Sequence, residues 1–259
     1  MGKKKAMTSA KASYVKRKGH QDAREFGECL GIGKEFKRDL RAKKDVIDLE
    51  GYSYSVKSGE KKWQMFLYGK TRFEEDYTFK GMNGIGNLFL ECIESFPTKR
   101  EDYLKNKEVY KRNLQEPMRK LCEKLREKRL LEAFIDKSIF NSGEVNFLVI
   151  KEGEIFHVFW NREVVEVLSN NYTVENSKAR QKGQVDDQKV VFKVEGKTHG
   201  EIEMRNDSEN HYREIKFWLS KEPTLSLLKN NVKKVKDFSK RIKLYGMAIN
   251  KLNKEKVNL

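Results

Sequence analysis

Asp45-Val46-Ile47-Asp48-Leu49-Glu50-Gly51-Tyr52-Ser53-Tyr54-Ser55-Val56-Lys57 is the stretch that decides how this chain folds. Asp45–Leu49 and Tyr52–Lys57 are short β-favouring runs separated by Glu50-Gly51, a hairpin signal. Folded back about a point between Glu50 and Tyr52, the runs pair residues whose numbers sum to about 102 in an antiparallel ladder. Asp45 is then expected opposite Lys57, and Ile47 opposite Ser55. Because side chains alternate across a strand, Asp45, Ser55 and Lys57 share one face and Asp48 points to the other. A carboxylate and an ammonium side by side can be a surface ion pair worth under about 1 kcal/mol. The same two groups suit phosphodiester chemistry: the carboxylate holds Mg²⁺ against a phosphate, and the lysine positions or deprotonates water and offsets developing charge.

Upstream, Ala23, Phe26, Cys29 and Leu30 recur at three and four, which predicts a helix over Gln21–Leu30 stopped by Gly31 and Gly33. Residues 1–18 are rich in Lys, Ser and Ala without periodicity and are read as a flexible basic arm. Downstream, Trp63–Tyr68 is an apolar run and Phe79–Gly86 a glycine-rich loop. Asn87–Phe96 is helical, and Tyr103–Phe140 is a long charged helical stretch with Pro117 opening its second half. From residue 141 the character changes: Glu144–Ile150, Glu154–Trp160, Gln188–Glu195, Gly200–Arg205 and Tyr212–Leu219 read as strands of antiparallel hairpins. Pro223 is expected to begin a lysine-rich helix running to Tyr245. The expected fold class is α/β (α+β), divided into the arm at 1–18, a core at 19–140 and a β-rich region with a closing helix at 141–259, the last two packed as one domain.

The 259 residues include 55 Lys+Arg against 39 Asp+Glu, a formal charge of +16 that attracts polyanions. No stretch approaches the roughly 20 consecutive apolar residues of a bilayer span, so nucleic acid is favoured over membrane as the partner. Fifteen Phe, ten Tyr and three Trp supply a core, which argues against disorder of the whole chain. Cys29, Cys92 and Cys122 sit in apolar surroundings and read as reduced thiols. Met1-Gly2-Lys3-Lys4-Lys5 has no apolar run after it, so no secretory signal is expected and the compartment is read as cytoplasmic. Neither Ile32-Gly33-Lys34 nor Gly81–Gly86 has the strand–loop–helix frame of a phosphate-binding loop, so no nucleotide cofactor is expected. No His/Cys pair has zinc-ligand spacing, and no serine or cysteine sits in a nucleophile elbow.

Asp45 followed by Ser55-Val56-Lys57 resembles the signature of the PD-(D/E)XK nuclease superfamily, an acid at a strand start followed by acid-x-Lys on the next strand. The helix carrying Glu25 and the segment Gln64-Met65-Phe66-Leu67-Tyr68, similar to a Gln-x-x-x-Tyr element, extend the likeness over residues 19–70. The resemblance implies a central mixed β-sheet flanked by helices, and a Mg²⁺-dependent endonuclease (Mn²⁺ as a substitute) acting on double-stranded DNA as a type II restriction enzyme. A homodimer is the expectation for symmetric DNA sites. On this reading Asp45, Ser55, Lys57, Glu25 and Gln64 form the catalytic set. Ser55 stands where the family has an acid, so the second metal ligand is sought elsewhere: Glu25 first, with Asp22, Glu28 and Glu50 behind it. Asp48 competes with Asp45 for the metal, but its face disfavours it.

Phosphate contacts are expected from Lys61 and Lys62. Gln64 and Tyr68, four apart, would point the same way on a helix, toward the hairpin or the DNA backbone. Gly200–Trp218 reads as strand, polar turn, strand, and a two-stranded ribbon fits the major groove. There Arg205, Asn206, Arg213 and Lys216 are of the side-chain types that read base edges and phosphates, with Asp207, Ser208, His211 and Tyr212 beside them. Glu201 and Glu203 with Lys216 form a weaker second candidate for a metal hairpin. Two other classes fit the same residues: a non-catalytic nucleic-acid-binding protein, and a repair or structure-specific nuclease of the same superfamily.

Overall fold

A computed structural model describes residues 9–33, 37–40, 43–179, 181 and 184–252. The chain begins with α1 (Ser9–Cys29), β1 (Lys37–Asp39), β2 (Lys44–Ile47), β3 (Ser53–Lys57) and β4 (Lys62–Tyr68). Six helices follow: α2 (Lys70–Glu75), α3 (Tyr77–Gly81), α4 (Ile85–Glu94), α5 (Arg100–Lys105), α6 (Lys107–Arg126) and α7 (Lys128–Phe140). Then come β5 (Phe147–Glu152), β6 (Ile155–Trp160), α8 (Asn161–Asn171), β7 (Thr173–Asn176), β8 (Lys189–Val194), β9 (Lys197–Met204) and β10 (Ile215–Ser220). The described chain closes with α9 (Lys221–Asn231), β11 (Val235–Ser239), β12 (Ile242–Tyr245) and α10 (Met247–Leu252). The architecture is mixed α/β with two sheets.

Two compact units interleave along the chain rather than dividing it near residue 140. The first comprises residues 1–61, 139–168 and 225–259, the second 62–138 and 169–224. A topological reason is visible in the first unit, where β3 pairs β5 in parallel, Tyr54 with Phe147 and Lys57 with Ile150. Parallel neighbours need a long crossover, and the intervening 62–138 supplies it.

In the first unit the seven-stranded sheet runs β1-β2-β3-β5-β6-β12-β11, with parallel pairs at β3·β5 and β6·β12 and antiparallel pairs elsewhere. Ala23 and Phe26 of α1 belong to one buried cluster with Val46, Tyr54, Phe147, Val149, Phe156 and Val158. The rings of Phe26 and Tyr54 meet edge to face at 5.3 Å, and Tyr54 stacks on Phe147 at 5.0 Å. Gly31, at φ +81°, stops α1: its N–H reaches Glu28 O and that of Ile32 reaches Gly27 O, the paired bonds that satisfy the last carbonyls of a helix.

In the second unit a five-stranded antiparallel sheet, β4-β10-β9-β8-β7, buries one face of aromatic side chains. Phe134 of α7 lies 5.1 Å from Phe217 and 6.0 Å from Phe192, and Phe73, Phe79 and Phe89 surround Phe66.

Several expectations are corrected. The helix begins at Ser9, so the arm expected at 1–18 is helical from residue 9; residues 1–8 lie outside the described residues. Ala, Lys and Arg are good helix formers and extend the packed segment outward. Tyr103–Phe140 is three helices, broken at Asn106 and Glu127, and Pro117 lies inside α6 rather than at a start. The helix expected from Pro223 to Tyr245 ends at Asn231. After it, Val235–Ser239 and Ile242–Tyr245 form a hairpin that joins β6 in parallel, because Ile242 and Leu244 alternate with Lys243 and bury against the sheet.

Candidate active site

The β2–β3 hairpin closes through three residues, Leu49, Glu50 and Gly51. Asp48 N–H reaches Tyr52 O, Gly51 N–H reaches Asp48 O, and Gly51 takes φ +87°, the left-handed position that ends a three-residue hairpin loop. The Asp48 carboxylate completes the turn, accepting from Glu50 N at 3.0 Å and Tyr52 N at 2.8 Å. Its other oxygen accepts the buried Tyr54 hydroxyl at 2.6 Å. Because the loop centres on Glu50, Val46 pairs with Tyr54 and Ile47 with Ser53. The register thus differs by two residues from the expected one, and its continuation sets Asp45 across from Ser55. A shift of two preserves the alternation: Asp45, Ser55 and Lys57 share one face, and Asp48 lies on the other with Tyr54.

Three groups converge on that face. Lys57 Nζ donates to Ser55 Oγ at 2.8 Å and stands 4.0 Å from Asp45 Oδ2. Ser55 Oγ lies 3.4 Å from the same oxygen, a long contact, and Val56 N–H donates to it at 2.8 Å. Ser55 is fully buried, whereas the Asp45 and Lys57 side chains keep 25% and 20% of their exposure, so the carboxylate and ammonium remain reachable from solvent.

Glu25 lies elsewhere. α1 covers the Tyr54–Phe147–Val149 face, and Lys151, alternating with Phe147 and Val149, projects to that same face. There its ammonium binds Asp22 at 2.8 Å and Glu25 at 2.7 Å, and Arg241 makes a further close contact with Glu25. Partial burial raises the Glu25 carboxyl, but Lys151 and Arg241 outweigh it and hold the group below its ordinary range. Glu25, expected to share a metal with Asp45, is therefore separated from it by the sheet: alternation on β5 decides this, and a helix pattern cannot report which sheet face the helix covers. Asp22 is buried beside Lys151, Glu28 is exposed on α1, and Glu50 is exposed in the turn.

A polar network that the sequence reading passed over lies on the Asp45–Lys57 face. Lys57 pairs with Ile150, Ile150 with His157 and His157 with Lys243, so these positions form one row across four strands. His157 is buried, with Nδ1 2.9 Å from the Tyr245 hydroxyl and Nε2 3.1 Å from Glu152. Burial first, and Lys229 second, depress His157 to about 4, so the ring is neutral at pH 7. Lys229 at 2.6 Å, supported by His157, holds the Glu152 carboxyl low. An ionised carboxylate only accepts, so Nε2 carries the proton and Nδ1 accepts from Tyr245. The one sequence signal for this network was a histidine on the inward phase of an apolar strand.

Gln64 and Tyr68 belong to the second unit and lie on a strand. A bulge at Met65, where Phe217 faces Phe66 and Trp218 faces Gln64, reverses the alternation and sends the two to opposite faces. Tyr68 stacks on Phe66 at 4.7 Å, while Gln64 is exposed. Lys62 Nζ sits 3.2 Å above the Trp218 ring, and burial lowers its pKa. Lys61, in the first unit, is exposed.

Gly200–Trp218 is a strand, a polar loop and a strand. Within the loop, Arg205 forms a two-pronged pair with Asp207 at 2.8 and 3.0 Å, and His211 binds Glu214 at 2.7 Å. The Tyr212 hydroxyl donates to Pro97 O at 2.8 Å and Arg213 Nε to Ile93 O at 3.1 Å, which anchors the loop to the α4–α5 segment. The Ser208 hydroxyl is buried without a partner, and Asn206 is half-buried. On the sheet, Lys216 lies 3.4 Å from Glu203, and Lys189 binds Glu201 at 2.7 Å and Glu203 at 2.9 Å. Both glutamates of the alternative metal hairpin are thus matched by lysines.

Among the described residues no group of three or more His, Cys, Asp or Glu side chains gathers as a ready metal cage, and no helix is long and apolar enough to cross a membrane. No protein-family model matches the chain, and comparison with curated proteins and with solved structures finds no significant similarity.

Proposed function

We propose that the protein is a Mg²⁺-dependent, sequence-specific endonuclease of the PD-(D/E)XK type that hydrolyses double-stranded DNA, as a type II restriction enzyme does. The observation that carries this reading is the convergence of Asp45 Oδ2, Ser55 Oγ and Lys57 Nζ on one partly open sheet face. A mixed sheet with helix α1 on one face, and a net charge of +16, support it. The donor set is one carboxylate and one hydroxyl. That suffices for Mg²⁺, which is commonly held by one or two carboxylates and completed by substrate phosphate and water.

Asp45 would hold Mg²⁺, and the ion, when bound, would supply Lewis-acid stabilisation of negative charge on the scissile phosphate. The chain's own groups do the rest. Lys57 offers its ammonium to the phosphate oxygens and orients the attacking water. Ser55, buried and accepting from Lys57, limits the directions in which that ammonium can point. Val56 N–H fixes the Asp45 carboxylate, leaving its remaining lone pairs for a ligand.

One observation favours a second reading, a non-catalytic nucleic-acid-binding protein. With Glu25 on the far face, Asp45 is the carboxylate that pairs with Lys57 among the described residues, and an Asp–Lys ion pair needs no metal. Plasmid DNA incubated with the protein in Mg²⁺ separates the two. Discrete fragments, lost in Asp45→Ala and in Lys57→Ala, are expected. A smear would point instead to a nonspecific or structure-specific nuclease, and a gel shift of intact DNA would leave only a binder.

A further inference from the structure

In the first turns of α1 the described side chains, Ser13, Tyr14, Val15, Arg17 and Lys18, face solvent. Among the described side chains of α1, full burial begins at Asp22 and Ala23. Before it, Ser13, Arg17 and Lys18 are exposed, and Tyr14 and Val15 retain 59% and 46% of their surface. The sequence from Ser9 to Gln21 holds Lys11, Lys16, Arg17 and Lys18 and no acid. Isolated helical turns are marginal in water and gain stability when something covers them, and the cover these turns call for is anionic. Their position is also defined. Asp22, where α1 meets the sheet, is tied to Lys151 at the C-terminal end of β5. Lys151 follows Ile150, the partner of Lys57, so the basic turns leave the sheet from the end at which Lys57 closes β3.

We propose that the N-terminal turns of α1 are a duplex-DNA contact, laying Arg17, Lys18 and their neighbours along the phosphate backbone beside the Asp45–Lys57 end of the first unit. Twelve residues of helix span about 18 Å, and a duplex presents one phosphate charge per roughly 1.7 Å of axis, so several phosphates lie within reach of the segment. An anionic membrane fits less well, because Tyr14 and Val15 do not make the broad apolar face of an interfacial helix. The inference takes its purpose from the nuclease reading, but binding can be measured without cleavage.

The test is the affinity of the full chain for a short duplex in EDTA over a salt series, comparing wild type with the combined Lys11→Ala, Lys16→Ala, Arg17→Ala and Lys18→Ala variant. The slope of log K against log salt should flatten by about 0.9 for each phosphate contact removed, about 3 to 4 in total, with at least a roughly tenfold weaker Kd near physiological salt. The melting temperature should stay close to the wild-type value, since Arg17 and Lys18 are exposed. An unchanged slope and Kd would overturn the proposal, even in a protein that cleaves plasmid with Mg²⁺. Weakened binding in a protein that never cleaves would uphold it while removing the nuclease reading. Wild type that sediments with phosphatidylserine vesicles but does not bind duplex would assign the turns to a membrane and overturn it as well.

Discussion

Asp48→Ala should destabilise the protein far more than Asp45→Ala, although the two carboxylates lie three residues apart in one hairpin. Asp48 accepts two half-exposed backbone N–H groups, from Glu50 at 3.0 Å and Tyr52 at 2.8 Å, and the hydroxyl of Tyr54 at 2.6 Å. Tyr54 is fully buried, so the lost acceptor leaves a buried O–H unsatisfied at a cost of about 1–3 kcal/mol, with about 0.5–1 kcal/mol for each turn bond. The sum is about 3 kcal/mol, a fall in Tm of roughly 6–12 °C for a chain of this size. Asp45→Ala loses one backbone bond at 2.8 Å and a 4.0 Å ion pair that is partly open to water, about 1 kcal/mol and roughly 2–4 °C. Thermal unfolding followed by circular dichroism reads both. Adding Tyr54→Phe to Asp48→Ala should recover about 1–2 kcal/mol, because both partners of the buried bond are then gone. If Asp48→Ala melts with wild type, or Asp45→Ala is the costlier change, the division of the hairpin into a structural face and a chemical face is wrong.

Two further outcomes follow from the same sheet. Glu25→Gln should leave Mg²⁺-dependent cleavage within about twofold of wild type while lowering stability by about 1 kcal/mol, since Lys151 and Arg241 lose a charged partner that is still partly solvated; loss of cleavage in a variant with wild-type melting would restore Glu25 to the metal. Burial pushes the folded His157 down to about 4 from an ordinary 6.5, so the unfolded chain binds the extra proton. Its contribution to stability is therefore full above pH 6.5 and falls away toward pH 4, by up to roughly 3 kcal/mol. Denaturant titrations across that window should show a weaker pH dependence for His157→Gln than for wild type, and parallel curves would contradict the burial argument.

Much of the hairpin was legible because strand alternation is a period of two. The loop centre was placed one residue too far along, and the resulting two-residue register error left every face assignment from Asp45 to Lys57 intact. The α1 stripe of Ala23 and Phe26 was equally legible, as was the Gly31 stop. Gln64 and Tyr68 were not: a single extra residue at Met65 cancels the regularity that a spacing argument assumes. Residues 233–245 were misread because lysines at alternate positions on an edge hairpin look like the polar face of a helix until the sheet that buries Ile242 and Leu244 is known.

From the sequence alone came the basic charge, the aromatic supply for a core, the β-hairpin and the shared face of Asp45, Ser55 and Lys57, because each depends on composition or on the local geometry of a few consecutive residues. Tertiary structure decided which sheet face α1 covers, and hence that Glu25 meets Lys151 rather than Asp45. It also decided that the Tyr245–His157–Glu152–Lys229 network lies on the face of Lys57, and that two units interleave along the chain. These depend on which distant strands become neighbours, and the parallel pairing of β3 with β5 joins residues about ninety apart: no periodicity encodes that choice, which is made by the burial of both strands in one common core.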